Sequence, residues 1–220
     1  MNGNSHDPLT AARLTMVENQ LRRRGIMDNR VLAAMTKVPR HEFVAQQHWA
    51  DAYADHPVPI AEQQTTSQPY IIAAMLQAAE INSQDRVLEI GAGSGYQTAL
   101  LAELAREVFA VDRYPALSAH ALETLVRLGY KNTTVLTGDG SLGLPEHAPY
   151  DVIIVAAAAP RVPPALVDQL ATGGRLVAPI GNAQQQVLQL ARKDASGNVS
   201  ITSLEGCRFV PLVGREGFAA

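Results

Sequence analysis

Val87-Leu88-Glu89-Ile90-Gly91-Ala92-Gly93-Ser94-Gly95-Tyr96 reads as a buried strand that runs into a glycine turn and then into a helix. A turn of this kind brings bare backbone and a helix N-terminus against a ligand at the carboxyl edge of a sheet. The spacing narrows the ligand. A dinucleotide fingerprint places its third glycine three positions after the second, where this chain has Tyr96; here Gly91, Gly93 and Gly95 alternate instead. Glu89, just before the turn, suits a ligand carrying an ammonium and a sulfonium better than a pyrophosphate, because a carboxylate attracts cations and repels phosphates.

Working outward from this turn, short β-branched runs alternate with helical stretches. Strands are expected at 86–90, 108–111, 133–136, 152–155 and 175–179, with helices at 97–105, 115–128 and 164–170. That alternation is the signature of a parallel sheet covered by helices. It stops near the end, where 186–191 and 199–204 flank Ser196-Gly197-Asn198 as a hairpin would, so the sheet should finish with antiparallel strands. Upstream, Leu14, Val17 and Leu21 predict one face of a helix over 9–24 that Gly25 ends. A second helix is capped by Asp28, striped by Val31, Leu32, Met35 and Val38, and stopped by Pro39. Residues 40–67 carry no period and read as loop or short irregular elements, and long loops on compact domains are often functional. A third helix is expected over 69–80, with Pro69 in its first turn and Ile71, Ile72, Met75, Leu76 and Ala79 on one face. The organisation is thus a helical region with a loop, 1–80, ahead of an α/β core, 81–220.

At 220 residues and 47% hydrophobic, the chain has enough apolar side chains for one sizeable core. Its formal charge of −3 supplies no positive field for a polyanion, so nucleic acid is not an expected partner. The only dense basic run, Arg22-Arg23-Arg24, reads as a solvated helix face. A lone Cys207 excludes an intramolecular disulfide and a multi-cysteine metal site; no metal is expected, and a reducing, cytoplasmic compartment is. Met1 to His6 is polar, and no stretch approaches the ~20 apolar residues of a membrane span. A soluble protein without a membrane partner is the expectation. Asn2-Gly3 is a sequence prone to cyclise through succinimide, which makes the tail a candidate for isoaspartate formation.

Two further positions fall in register with the glycine turn. Asp112 ends the second strand 21 residues after Gly91, close to the ~20 at which an acidic side chain reaches ribose hydroxyls, although a helix cap would also explain it. Gly138-Asp139-Gly140 follows the third strand, where the Asp139 carboxylate could accept from an adenine amino group and Gly140 would line the same edge. An ordinary turn explains that tripeptide equally well.

Together these residues resemble a known pattern. Gly91 to Gly95 with Asp112 are similar to class I S-adenosylmethionine-dependent methyltransferases. Four more segments resemble the protein-L-isoaspartate O-methyltransferase family: Val38-Pro39-Arg40-His41-Glu42-Phe43-Val44, Gln64-Thr65-Thr66-Ser67-Gln68-Pro69-Tyr70, Ala157-Ala158-Ala159-Pro160 and Arg208-Phe209-Val210-Pro211-Leu212-Val213. The resemblance covers roughly residues 14–214. It implies a Rossmann-like three-layer α/β sandwich with a mostly parallel seven-stranded sheet and an N-terminal helical extension. It also implies S-adenosyl-L-methionine as cofactor, S-adenosylhomocysteine as product, and isoaspartyl- or D-aspartyl-containing proteins and peptides as partners. By that resemblance Glu89, Gly91, Gly93, Gly95, Tyr96, Asp112, Asp139 and Gly140 bind the cofactor, and Gln64, Thr65, Thr66, Ser67 and Val210 bind the acceptor. The 208–213 segment would line the peptide cleft. This chain departs from the pattern at Ala61-Glu62-Gln63, where many members carry a Gly-His-Gly-like approach, and at Thr66, where isoleucine is common. Ala156 and Asp112 stand for a frequent threonine and glutamate.

The chemistry such a site must do is modest. A carboxylate is already ionised at neutral pH, so it needs placement rather than a general base. The resemblance puts the Ser67 hydroxyl closest to the reaction, donating to the acceptor carboxylate; a helix N-cap before Pro69 is the competing role. His41 and His56 read as packed or surface side chains, and nothing basic beside Cys207 suggests an activated thiol. A base-methylating enzyme is disfavoured because Ala156-Ala157-Ala158-Ala159-Pro160 lacks the polar-Pro-Pro-aromatic cluster that holds a flipped base. A nicotinamide oxidoreductase is disfavoured by Tyr96. A small-molecule acceptor, or a cofactor-binding relative with weak activity, stays open.

Overall fold

The computed structural model describes residues 7–219. Asn2-Gly3 lies outside them. Helix α1 (Pro8–Met16) starts where the Asp7 carboxylate accepts from the amides of Leu9 and Thr10. The helical run continues to Arg24 with two changes of pitch, a π-turn over Val17–Leu21 and a 3-10 turn over Arg22–Arg24, and stops at Gly25 with φ +94°. The wider turn shifts the phase of the buried face. Met16, Val17 and Leu21 are buried, while Leu14, expected on the same stripe, is 45% exposed. Helix α2 (Asn29–Lys37) is capped by Asp28 as anticipated. The aperiodic stretch becomes two 3-10 turns, Arg40–Phe43 and Gln46–Asp51, and a two-stranded ribbon of β1 (Val58–Pro59) and β2 (Thr65–Thr66). Helix α3 (Pro69–Ala79) leads into the sheet.

The core then runs β3 (Arg86–Ile90), α4 (Tyr96–Leu104), β4 (Glu107–Asp112), α5 (Pro115–Arg127), β5 (Thr133–Thr137), β6 (Tyr150–Val155) and α6 (Pro164–Asp168). It closes with β7 (Leu170–Gly181), β8 (Gln186–Lys193) and β9 (Val199–Cys207). Spatial order is β5-β4-β3-β6-β7-β8-β9, parallel from β5 to β7 and antiparallel for the last two pairings. β7 starts earlier than its apolar run because its pairing with β6 slips between Tyr150 and Val152, which takes in Gly173 and Gly174; α6 is correspondingly shorter than expected.

Period-two alternation divides the sheet's side chains between two cores. Val87, Val108, Val152, Ile154 and Val177 join the N-terminal helices, α3 and α4 on one face. Leu88, Phe109, Ile153, Val155 and Leu176 pack with Leu166 of α6 and Leu212 on the other. Both faces are therefore covered, as a parallel sheet requires. Consecutive crossovers from β3 go first to β4 and β5 on one side, then to β6 on the other, so the order reverses beside β3. A crevice outside the carboxyl ends of β3 and β6 is the ligand position that this topology creates.

Candidate functional site

The carboxyl ends of β3, β4 and β6, with the turn after β5, wall a cleft lined by Ile90, Gly91, Gly93, Val111, Asp112, Gly140 and Ala156. Gly91, Gly93 and Gly95 all have positive φ, at +91°, +53° and +86°, which L side chains rarely adopt. The amides of Gly91 and Ala92 are held by the Val111 carbonyl, and that of Gly93 by Asp112 Oδ2 at 2.8 Å. The turn thus offers a bare Cα surface rather than a ring of free donors, which explains in atoms why it suits no pyrophosphate. Asp112 is buried. Its Oδ1 also accepts from the Tyr114 amide at 2.9 Å, and each oxygen keeps a lone pair for a diol. Gly140 closes the wall, since a Cβ there would meet Ile90 Cγ2 at 2.6 Å.

A narrow extension of the cleft passes Glu89, Gly91, Gly93, Ser94 and Gln97 on one side and Thr65, Thr66 and Ser67 on the other. Glu89 is fully buried; its Oε2 accepts from Thr98 Oγ1 at 2.5 Å, while its Oε1 has no partner. Gln97 Nε2 is unpartnered as well. Burial, reinforced by the nearby Asp112 charge, pushes the Glu89 carboxyl up to about 8. A buried acceptor and donor left unmade are costly in a native protein, and an ammonium–carboxylate ligand end would satisfy both. The residues present therefore fit the methionine end of S-adenosylmethionine, and Asp112 lines the adjoining cleft.

Next to this lies an open cavity of about 700 Å³ bordered by Thr65, Ser67, Tyr70, Ala156, Phe209 and Val210. Thr65 and Ala156 border all three spaces, so the cofactor cleft and the larger cavity meet there. Gln64 faces the cofactor cleft, and Val210 borders both that cleft and the open cavity. Ser67 does not cap α3. The cap position is Gln68, and no side chain bonds the free amides.

Three expected cofactor residues have other duties. Tyr96 is fully buried away from the cleft, edge-on to Phe43 at 5.7 Å and facing Arg40 at 4.8 Å; only its position at the start of α4 belongs to the turn. Gly95 serves packing, because a Cβ there would come within 3.0 Å of Ala121 Cβ on α5. Asp139 is occupied by protein donors: Oδ1 accepts from Ser141 N at 3.0 Å and Ser141 Oγ at 2.6 Å, and Oδ2 from Arg215 N at 2.9 Å. These bonds hold its carboxyl below the usual range, against the burial that works the other way, and tie the C-terminal turn to the sheet. These bonds account for the turn, and Oδ2 keeps a lone pair for a further donor.

Other residues had no signal in the sequence. Arg24, read as part of a solvated face, bonds Asp55 at 2.8 Å and covers the Tyr70 ring at 3.6 Å on the wall of the open cavity, where Glu205 also stands. Thr98 reaches Glu89, and Gln97 lines the same narrow space, only because α4 folds back over β3. His41 is packed, its Nδ1 2.7 Å from the Tyr53 hydroxyl, and burial raises the Cys207 thiol to about 11. Among the described residues no cluster of metal-binding side chains occurs, and no helix is long and apolar enough to cross a membrane.

Comparison with known proteins agrees with this geometry. The family described as Protein-L-isoaspartate(D-aspartate) O-methyltransferase matches residues 12–217. A protein-L-isoaspartate O-methyltransferase of Koribacter versatilis is 55% identical over 94% of this chain and 93% of its own length. A solved protein-L-isoaspartate O-methyltransferase superposes with a TM-score of 0.83 at 29% identity, over 93% of this chain and 67% of that one. A Plasmodium falciparum chain assigned to the same activity, solved with S-adenosyl-L-homocysteine, gives 0.78 at 27% identity over 90% and 96%. Matched by the family over residues 12–217 and 55% identical to the Koribacter relative, the chain belongs to the protein-L-isoaspartate(D-aspartate) O-methyltransferase family.

Proposed function

We infer that this chain is a protein-L-isoaspartate O-methyltransferase: it uses S-adenosyl-L-methionine to esterify the free carboxylate of isoaspartyl, or D-aspartyl, residues in damaged proteins and releases S-adenosylhomocysteine. The observation that carries this reading is the meeting of two spaces at Thr65 and Ala156, a cleft with orphaned Glu89 and Gln97 atoms and an open cavity of about 700 Å³. When bound, the cofactor supplies an electrophilic methyl group on sulfur. The protein's own residues bind and orient. Glu89 and Gln97 take the amino-acid end, Gly91 and Gly93 allow close approach, Asp112 receives the ribose hydroxyls, and Gly140 leaves room beside the base.

On the acceptor side Gln64, Thr65, Thr66 and Ser67 form one bank and Val210 the other. The Ser67 hydroxyl, free of a capping role, donates to the acceptor carboxylate and fixes which oxygen faces the cofactor. Because that carboxylate is already ionised, orientation and exclusion of water are what accelerate transfer. The resulting ester closes by attack of the following backbone nitrogen, with methanol leaving, and the succinimide then opens with water to aspartate or isoaspartate. A cytoplasmic site of action belongs to the proposal, supported by the single cysteine, which leaves no disulfide within the chain. Labelled S-adenosylmethionine should transfer its methyl to an isoaspartyl peptide and not to the aspartyl peptide of the same sequence; equal labelling of both would reject the reading.

A further inference from the structure

Arg40 is fully buried and has no carboxylate partner among the described residues. All its hydrogen bonds go to neutral acceptors: Nε donates to the Ala52 carbonyl at 2.7 Å, Nη1 to Thr66 Oγ1 at 3.2 Å and Nη2 to the Ser67 carbonyl at 2.8 Å. The guanidinium also faces the Tyr96 ring at 4.8 Å. Burial lowers its ionisation to about 10, so the guanidinium stays charged at neutral pH. An uncompensated buried cation is expensive, and a hydrophobic or ion-paired residue would stabilise the fold better. Two of its three acceptors belong to the acceptor bank.

The geometry has a further consequence for Thr66. A guanidinium only donates, so Thr66 Oγ1 must accept from it and its own proton is left for another acceptor. Thr66 borders the narrow space between the cofactor cleft and the acceptor bank. Its hydroxyl is thereby polarised as a donor into that space. The Ser67 carbonyl, which would otherwise present negative charge beside the acceptor, is occupied from behind.

We propose that Arg40 is a positioning residue that biases this cavity toward an anionic acceptor, by placing a permanent positive charge behind the acceptor bank and by turning Thr66 into a second hydroxyl donor beside Ser67. The proposal rests on the carboxyl-methylating reading above.

The test compares binding of two peptides to protein saturated with S-adenosylhomocysteine: an isoaspartyl peptide, and the same peptide with the acceptor carboxylate replaced by a carboxamide. Arg40→Gln should cut the wild-type preference for the carboxylate by about 10-fold or more, while Arg40→Lys keeps most of it, because in a site of low dielectric the charge and not the shape sets the difference. Thr66→Val, which leaves the charge in place, should cut the preference by about 3–10-fold through loss of one hydrogen bond. S-adenosylhomocysteine affinity should stay within about 3-fold in each variant that folds, since each binding change belongs to the acceptor side. A strut without electrostatic effect predicts that Arg40→Gln weakens both peptides by one factor, and that result overturns the proposal. Should Arg40→Gln not fold, an unchanged preference in Thr66→Val overturns it. If the wild type transfers no methyl to the isoaspartyl peptide, the functional reading falls as well, and the transfer assay identifies that case separately.

Discussion

Glu89 carries a proton in the ligand-free protein that it cannot keep in the unfolded chain, because burial moves its carboxyl from 4.5 to about 8. Folded protein binds more protons than unfolded protein between those values, so this group's contribution to stability is full below about pH 4.5 and is lost as pH rises through about 8. Glu89→Gln, which keeps the shape and removes the ionisation, should flatten the fall in melting temperature of ligand-free protein from about pH 5 to about pH 8.5. A cationic ligand beside Oε1 reverses the preference. S-adenosylmethionine should therefore bind wild type with release of a proton below pH 8, and more tightly as pH rises, which calorimetry in two buffers of different ionisation heat would detect. Proton-neutral binding would contradict the placement of the ammonium at Glu89. Ser67→Ala should lower the transfer rate on isoaspartyl peptide by about 10–100-fold, the value of a positioning hydrogen bond to a charged group. Since Gln68 and not Ser67 holds the cap position, melting temperature should hardly move; a drop of several degrees with an unchanged rate would remove Ser67 from the site. At this scale the positions legible in advance were those that follow from chain order, such as Gly91, Gly93 and Asp112 at strand ends, which line the cleft. The directions of the Tyr96 and Asp139 side chains were not legible, because they depend on neighbours in space: Phe43 and Arg40 flank the one, Ser141 and Arg215 bond the other.

Helix α4 owes its position to a missing side chain. Gly95, with φ +86°, lets the start of α4 approach α5 until only 3.0 Å separates a built Cβ from Ala121 Cβ, and 3.2 Å from Ala121 Cα. Gly95→Ala must strain the backbone and push the two helices apart, at a cost of about 1–3 kcal/mol. Because α4 carries Gln97 and Thr98 to Glu89, cofactor affinity should fall together with stability, by about 10-fold or more. Denaturant titration and cofactor titration on one preparation measure both; intact cofactor affinity in a destabilised protein would show that α4 does not set the Glu89 pocket. The strands and helices after residue 86 were legible because period-two and helical spacings separate cleanly there. The π-turn at Val17–Leu21 was not, since one inserted residue alters the phase without altering composition, and Leu14 therefore looked buried. Nor was the early start of β7, which depends on the slipped pairing with β6 and not on any apolar run.

The division into residues 1–80 and 81–220 describes how the chain is built, and the packing argues that it does not describe how the molecule unfolds. One apolar cluster joins Met16, Leu21, Met35 and Phe43 from the first part to Val87, Tyr96, Leu100 and Val152 from the second. Polar ties cross the same boundary. Arg30 donates to the carbonyls of Ile81 and Leu104, and Arg175 donates to the carbonyls of Ala79 at 2.8 Å and Glu80 at 3.1 Å. The exposed pairs Lys37–Glu103 and Arg127–Glu42 add little by comparison, as surface ion pairs generally do. Stripped of its partner, either part would expose a face of the cluster, so we propose that the chain unfolds as one cooperative unit. The single tryptophan makes this measurable. Trp49 lies in the 3-10 turn Gln46–Asp51, edge-on to His41 at 5.3 Å, and packs against the shared cluster, so its fluorescence follows the N-terminal part. Far-ultraviolet circular dichroism follows the whole sheet and its helices. In a denaturant titration of ligand-free protein the two signals should give coincident midpoints and slopes, the test of two-state unfolding. A fluorescence transition at lower denaturant would mean that the helical region detaches first and carries the acceptor bank with it. A saturating cofactor analogue bound at β3 and β4 should then raise both midpoints equally if the unit is single, because a ligand stabilises whatever must unfold to release it. Movement of the dichroism midpoint alone would refute the coupling.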